Sequence, residues 1–252
     1  MVRGLAKFRE QFRAYADQYV LIGGAACDLL MEEAGLDFRA TKDLDIVLSV
    51  EALNAEFVSA FWAFIRAGKY QVQKSATEKR RYYRFLKPET DEYPYMLELF
   101  ARKPDTLVLA EGPHLTPIPI DEETSSLSAI LMDDAYYAFL HAGMRTIDDI
   151  PVAGPEHLIP LKARAWLDLN RRKKAGEAID SKSIAKHKND VFRLYRVIDP
   201  ASKIEIPRLV CADMGAFLDA MGSESVDLKN LGIKSQNLNT ILDELRRLYV
   251  HD

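Results

Sequence analysis

In the first hundred residues, segments with the apolar spacing of helices alternate with segments that have the apolar pattern of strands. This order predicts a mixed sheet with helices between its strands. Apolar residues recur every three or four positions in the segments predicted as helices, and short apolar or alternating runs mark the strands. Gly68 ends the third helix. The predicted helices are 5–17, 25–33 and 51–67, and the predicted strands are 19–22, 43–48, 70–75, 82–86 and 95–100.

The spacing of apolar residues changes in the second half of the chain, where the helical pattern dominates. The pattern predicts helices at 156–174, 181–198, 207–221 and 237–250, separated by polar linkers. Segment 128–142 is compatible with helix or strand, segment 107–119 with short strands, and 146–152 with one short strand before a turn. We therefore predict an α+β protein with a mixed-sheet domain at 1–150 and a helical domain at 151–252.

The stretch between the first two strands carries the strongest chemical signal. Gly23 and Gly24 stand where a buried strand passes into a helix, and bare backbone N–H groups at a helix N-terminus favour a phosphate. Asp43 and Asp45 lie two residues apart in a strand, so their carboxylates project from the same face. Such a pair repels unless a cation lies between its members, and a divalent ion is the usual solution.

Glu98 is the best candidate for a third acidic ligand. It is a single acid in an otherwise apolar strand, where a charge is costly unless it is paired or binds a cation. Asp91, Glu92 and Glu111 are alternatives, but they lie in turn-like segments near prolines that would hold a carboxylate less firmly. If the strands of Asp45 and Glu98 are neighbours, three carboxylates converge, as two-metal phosphoryl transfer requires. An isolated Asp-x-Asp is more often structural.

Composition narrows the class of partner. The chain has a formal net charge of -4, which argues against a protein that coats nucleic acid along its whole surface. Residues 154–208 nevertheless hold 13 Lys or Arg against 7 Asp or Glu, a local excess of 6 positive charges. No run approaches membrane-spanning length, no secretion signal opens the sequence, and the two cysteines lack metal-ligand spacing. We expect a cytoplasmic protein with no membrane partner.

Lysines on the predicted helices of this basic region could bind a triphosphate. Lys162 lies on a helix with an apolar side, and Lys188 and Asp190 open the next strong helix. A lysine that reaches a triphosphate and an aspartate that orients it are physically reasonable. Taken singly, each is more often an exposed helix charge. The cluster Arg171–Lys174 is typical of a solvated helix end, although it could meet an RNA backbone.

The Gly-Gly junction followed by Arg39-x-Thr41-x-Asp43-Leu-Asp45 resembles the nucleotidyltransferase (polymerase-beta-like) superfamily, and more narrowly the AbiEii-type toxins of type IV toxin–antitoxin systems. The resemblance covers 18–48 well and 145–200 moderately, with Lys162 and Asp190 in matching order. The separation of Gly24 from Asp43 is longer than in the minimal motif, and Gly24 replaces a common serine.

The resemblance implies transfer of a nucleoside monophosphate from an NTP to an acceptor hydroxyl, with Mg²⁺ as cofactor. Asp43, Asp45 and Glu98 would bind the metal, and the nucleotide would contact a second set of residues: Gly23, Gly24, Arg39, Thr41, Lys162 and Lys188. Asp190 would support catalysis, and tRNA or a protein would be the acceptor. A cognate antitoxin is an implied partner. Two alternatives stay open: a binding module without catalysis and a modifier of small molecules such as antibiotics.

Overall fold

The computed structural model describes residues 2–49, 54–72, 82–100, 130–131, 133–199 and 201–250. The predicted short strands at 107–119 lie outside these residues. The described residues form two compact units. The first holds the residues up to 100 together with Met144–Gly154, and the second holds those from 130 to 143 and from 155 onwards. The predicted division into domains at 150 stays a prediction.

The first unit is built on a mixed sheet of seven described strands, in the order β3-β4-β5-β2-β1-β7-β6. The strands β2 and β5 are parallel, as are β1 and β7, whereas β1 and β2 are antiparallel. The strands are β1 (Tyr19–Ile22), β2 (Asp43–Leu48), β3 (Gln71–Val72), β4 (Tyr82–Leu86), β5 (Met96–Phe100), β6 (Met144–Ile147) and β7 (Ile150–Ala153). The predicted mixed sheet is thus confirmed.

Aromatic residues hold two helices of the first unit against the sheet. The helices of this unit are α1 (Leu5–Phe12), α2 (Gly23–Glu33) and α3 (Ala55–Ala67). Phe12 of α1 is fully buried, and its ring lies 5.3 Å from Phe64 and 6.0 Å from Phe61, both on α3. Tyr19 of β1 stands edge-on to Phe8 at 5.5 Å. These tilted and edge-to-face contacts are the arrangements that aromatic pairs prefer.

The second unit is helical in its described part, which confirms the helical character predicted for the second half. Its helices are α4 (Asp134–Ala142), α5 (Pro155–Lys174), α6 (Ser181–Tyr195), α7 (Arg208–Met221) and α8 (Leu238–Tyr249). A buried polar cluster links three of them, because Asp213 of α7 accepts hydrogen bonds from Tyr136 of α4 at 2.8 Å and Arg164 of α5 at 2.6 Å. Within the described residues, no helix is both long and apolar enough to cross a membrane.

The structure corrects the sequence prediction at two places. Segment 146–152 is a hairpin of β6 and β7 rather than one strand, and Asp148 and Asp149 turn the chain with φ of 48° and 64°. Aspartate tolerates this left-handed region better than most residues, but the pattern of apolar positions does not show such a turn. The first helix ends at Phe12, after which a 3₁₀ turn spans Arg13–Tyr15.

His157 lies in the helical unit without a partner for one of its ring nitrogens. Its ring packs 4.4 Å from the Phe139 ring, and a Cβ at Gly143 would overlap it. The Nδ1 atom is buried and accepts or donates no hydrogen bond among the described residues. Burial lowers the pKa of His157 from 6.5 to about 4, since the charged ring would lose its hydration.

We predict that His157→Leu reduces the acid sensitivity of the second unit. Native His157 stays neutral down to about pH 4, whereas the unfolded chain binds a proton near pH 6.5. Stability is therefore present above pH 6.5 and is lost as the pH falls through 4, by at most about 3 kcal/mol. Urea unfolding followed by Trp166 fluorescence in a Trp62→Phe background measures it. Parallel pH profiles for the two proteins would contradict the prediction.

Candidate functional site

The start of helix α2 is shaped to accept the carboxylate of Asp45. Gly23, the first residue of α2, has a φ of 67°, which side-chain-bearing residues rarely adopt. A Cβ at this position would overlap Asp45 Oδ2. The N-cap residue Ile22 makes no side-chain hydrogen bond to the helix start, and the Asp45 carboxylate lies beside the first N–H groups and the positive end of the helix dipole. Glycine at 23 is therefore a steric requirement of the site.

Asp45 and Glu98 are direct neighbours across the parallel strands β2 and β5. Glu98 is only 4% exposed, and its strand lies in the interior of the sheet. Burial raises the pKa of Glu98 well above its usual range, and the charge and hydrogen bonding of Asp45 raise it further. Two carboxyl groups in contact require a shared proton or a cation.

Arg84 compensates part of the negative charge of Asp45 and Glu98. It lies on β4, which flanks β5 on the side opposite to β2. It faces Glu98 across β4 and β5, and its Nε donates to Glu98 Oε1 at 2.6 Å. Arg84 Nη2 contacts the same oxygen, and Arg84 is itself buried. The arginine lowers the Glu98 pKa against the larger effect of burial. Arg84 therefore balances one negative charge of the carboxylate pair.

Asp43 lies on the same face of β2 as Asp45 and is half-buried. Within the described residues, no three acidic, histidine or cysteine side chains are arranged so that they could hold a metal ion by themselves. This does not conflict with Mg²⁺ chemistry, since Mg²⁺ is usually bound by one or two carboxylates together with waters and substrate phosphates. The carboxylate set fits a hard divalent cation, and the three-ligand assignment stays a prediction.

Arg39 and Thr41 reach the same helix start from the segment that precedes β2. Thr41 Oγ1 lies 2.5 Å and Arg39 Nη2 3.5 Å from the position of a Cβ on Gly24. Thr41 would therefore have to move to admit a Cβ at residue 24, whereas Arg39 lies at an ordinary contact distance from that position. Arg39 also acts on Asp28 of α2, where it opposes a rise in the Asp28 pKa that burial causes. The structure thus gathers Gly23, Gly24, Arg39, Thr41, Asp45 and Glu98 in one part of the first unit.

Lys162 and Asp190 meet in the second unit. Lys162 Nζ lies 3.6 Å from Asp190 Oδ2, and both side chains are buried. Arg193 donates to the other carboxylate oxygen at 3.2 Å. Asp190 and Lys162 therefore form a buried ion pair, and the roles of both residues toward a triphosphate stay a prediction. Lys188 donates to Glu224 at 2.7 Å and to the carbonyl oxygen of Ser225 at 2.9 Å, so a carboxylate already balances its charge.

Arg84 is the site residue that the sequence did not assign. The sequence places Arg84 only within a predicted strand, whereas the structure pairs it with Glu98. One signal was available: the predicted strands 82–86 and 95–100 each carry a single charged residue near the middle, and the two charges are opposite. Opposite charges facing each other across adjacent strands are a favourable pair.

Comparisons with known proteins leave the family open. No family model matches the chain, and no curated protein matches it. Among solved structures, an antigenic nucleotidyltransferase-like protein from Paracoccidioides brasiliensis is similar over 94% of this chain and 96% of its own, with 13% identity and a TM-score of 0.47. A TM-score this low supports no inference, so the proposals below depend on the residues of this chain.

We predict that Gly23→Ala destabilises the first unit more than Gly35→Ala does. Gly35 is a matched control, since its φ of 69° nearly equals that of Gly23 but nothing lies within 4 Å of its Cβ position. The left-handed backbone costs each variant about 1–2 kcal/mol, and only Gly23→Ala also displaces the Asp45 carboxylate. Urea unfolding followed by Trp62 fluorescence in a Trp166→Phe background measures both. Equal losses would show that Asp45 is not held against Gly23.

Proposed function

We propose that this protein is a Mg²⁺-dependent nucleotidyltransferase that moves a nucleoside monophosphate from an NTP to an acceptor hydroxyl. The observation that carries the proposal is the contact of Asp45 with Glu98 beside the N-terminus of α2. A carboxylate pair that attracts a cation and a helix start that attracts a phosphate stand together there. An NTP complexed with Mg²⁺ presents both charges at once.

Each candidate site residue of the first unit has a distinct role in the proposed reaction. Asp43 and Asp45 bind the metal, with Glu98 as third ligand, and the metal when bound supplies charge neutralisation on the phosphates and a lower pKa for the attacking hydroxyl. The N–H groups of Gly23 and Gly24 donate to phosphate oxygens. Arg39 and Thr41 add a cation and a hydroxyl donor beside them.

The proposed reaction exchanges one phosphoester bond for another. The acceptor oxygen forms a bond to the α-phosphorus, the bond from that phosphorus to the bridging oxygen breaks, and pyrophosphate leaves. A carboxylate takes the acceptor's proton, and Glu98 would do so where it does not bind the metal directly. Positioning and charge stabilisation supply most of the catalysis in such transfers.

The finer parts of the proposal rest on the resemblance of residues 18–48 to AbiEii-type toxins. We propose tRNA or a protein hydroxyl as acceptor, a role as the toxin of a toxin–antitoxin pair, and a cognate antitoxin as partner. Lys162 and Lys188 would bind the triphosphate, and Asp190 would orient Lys162, an assignment that their buried ion pair at 3.6 Å supports.

Labelled-nucleotide transfer tests the proposal. Purified protein is incubated with Mg²⁺, total cellular RNA and protein, and each NTP labelled at either the α- or the γ-phosphate. We expect α-label but no γ-label in one acceptor pool, with pyrophosphate released in equal amount. Asp43→Asn/Asp45→Asn should reduce the transfer by at least about a hundredfold, because a charge-stabilising group is lost.

The double variant Asp91→Asn/Glu92→Gln is the control, because it removes the same charge from side chains that are 91% and 72% exposed. It should transfer at the normal rate. Transfer of γ-label would indicate a kinase instead. Unchanged NTP binding without transfer to any pool would favour the binding module, and transfer to a small molecule alone would favour the modifier.

A further inference from the structure

A groove in the second unit lies between helices α5 and α6. The two helices run antiparallel, because Lys173 contacts Ser181 at one end and Lys162 contacts Asp190 at the other. The groove has a volume of about 440 Å³, within the range of pockets that hold small ligands. It is lined by Trp166, Asn170, Lys173, Lys174, Ser181, Ile184, Ala185, Lys188 and Glu224.

The floor of the groove is apolar and fixed. Trp166 and Ile184 are 5% and 8% exposed, and the Trp166 ring stands edge-on against Phe217 at 5.4 Å. Asn170 donates its amide to the carbonyl oxygen of Trp166 at 2.9 Å, which leaves the side-chain oxygen of Asn170 as an acceptor. The floor therefore offers an apolar surface beside an acceptor for a hydroxyl or amine donor.

The two lysines at the rim of the groove differ in their partners from the two arginines that precede them in the sequence. Arg171 is paired with Asp168 at 2.6 Å, and Arg172 with Glu177 at 2.7 Å. Lys173 and Lys174 line the groove and pair with no carboxylate among the described residues; Lys173 contacts the neutral hydroxyl of Ser181. Within this basic cluster, carboxylates balance the arginines and leave the groove lysines uncompensated.

The balance of charge around the groove favours an anion. Lys173, Lys174 and Lys188 contribute three positive charges and Glu224 one negative charge, so the lining has an excess of two. A phosphate monoester carries nearly two negative charges at neutral pH. A phosphate at the rim, an apolar body on the floor and hydroxyl or amine donors toward Asn170 and Glu224 together describe a nucleotide.

We propose that this groove is a second nucleotide-binding site, which takes a nucleotide phosphate either as a free mononucleotide or as part of a single-stranded RNA. The proposal does not depend on the transfer reaction proposed for the first unit. Lysines suit this task because an ammonium binds phosphate as a point charge from a flexible stem. Trp166 lies at the floor, so its fluorescence reports occupancy directly.

Binding is measured by calorimetry and by Trp166 fluorescence in a Trp62→Phe/Asp43→Asn/Asp45→Asn background with EDTA, which disables the carboxylate site. The probes are 5′-AMP, adenosine and a single-stranded RNA of about twelve nucleotides. We expect AMP to bind at least about tenfold more tightly than adenosine, because only AMP carries the phosphate. Lys173→Ala/Lys174→Ala should weaken AMP binding at least about tenfold.

The double variant Lys229→Ala/Lys234→Ala is the control, since it removes the same charge from exposed lysines of the same unit that do not line the groove. It should bind AMP normally. If the RNA binds more tightly than AMP, and if its binding depends strongly on salt and is weakened by Lys173→Ala/Lys174→Ala, the ligand is single-stranded RNA. If AMP binds and the RNA does not meet these criteria, the ligand is the free nucleotide. No binding of AMP or RNA, equal binding of adenosine, or equal loss in both double variants would overturn the proposal.

Discussion

The first unit depends on two carboxyl groups held together in the interior of a sheet. Asp45 and Glu98 are register partners, and Glu98 is buried. An uncompensated buried charge destabilises a fold. The removal of one partner of a buried ion pair lowers the free energy of unfolding by about 3–5 kcal/mol. Arg84 supplies one compensating charge, and the start of α2, which Gly23 brings close, supplies part of another. Four elements therefore have to meet at this point.

Stability alone does not account for such an arrangement. Replacing a buried ionic cluster with well-packed apolar residues often leaves a protein equally stable or more so. The strands around Glu98 are apolar and could pack without it: Leu97 and Leu99, its neighbours in β5, are fully buried. Two carboxyl groups in contact beside the N-terminus of a helix are better explained by binding chemistry.

Much of this was predictable from the sequence, since the signals were local. The strands at Tyr19–Ile22 and Asp43–Leu48 follow from their apolar content, and the pairing of Asp45 with Glu98 was expected once their strands were taken as neighbours. The steric reason for Gly23 was not predictable, because it depends on where the Asp45 side chain lies. Arg84 was missed for the same reason, as its partner is fixed by strand register and not by sequence distance.

In the second unit, too, the sequence predicted the secondary structure but not the partners of the side chains. Helical spacing predicted its helices well, with Asn237 and Asp180 capping two of them. The spacing could not show that Lys162 points at Asp190, or that Lys188 is balanced by Glu224. Nor could it separate the paired arginines at 171 and 172 from the uncompensated lysines that follow them. Side-chain partners across helices are set by packing, which a linear pattern does not contain.

The central claim is that the Asp45–Glu98 site binds a divalent cation together with a nucleotide. Electron paramagnetic resonance of Mn²⁺, used in place of Mg²⁺, measures this directly, because protein-bound Mn²⁺ loses the sharp spectrum of the free ion. The signal of free Mn²⁺ should fall when protein and a non-hydrolysable NTP analogue are both present, and Asp43→Asn/Asp45→Asn should restore it. A signal that does not change with protein and analogue, or that falls equally with the double variant, would contradict the claim.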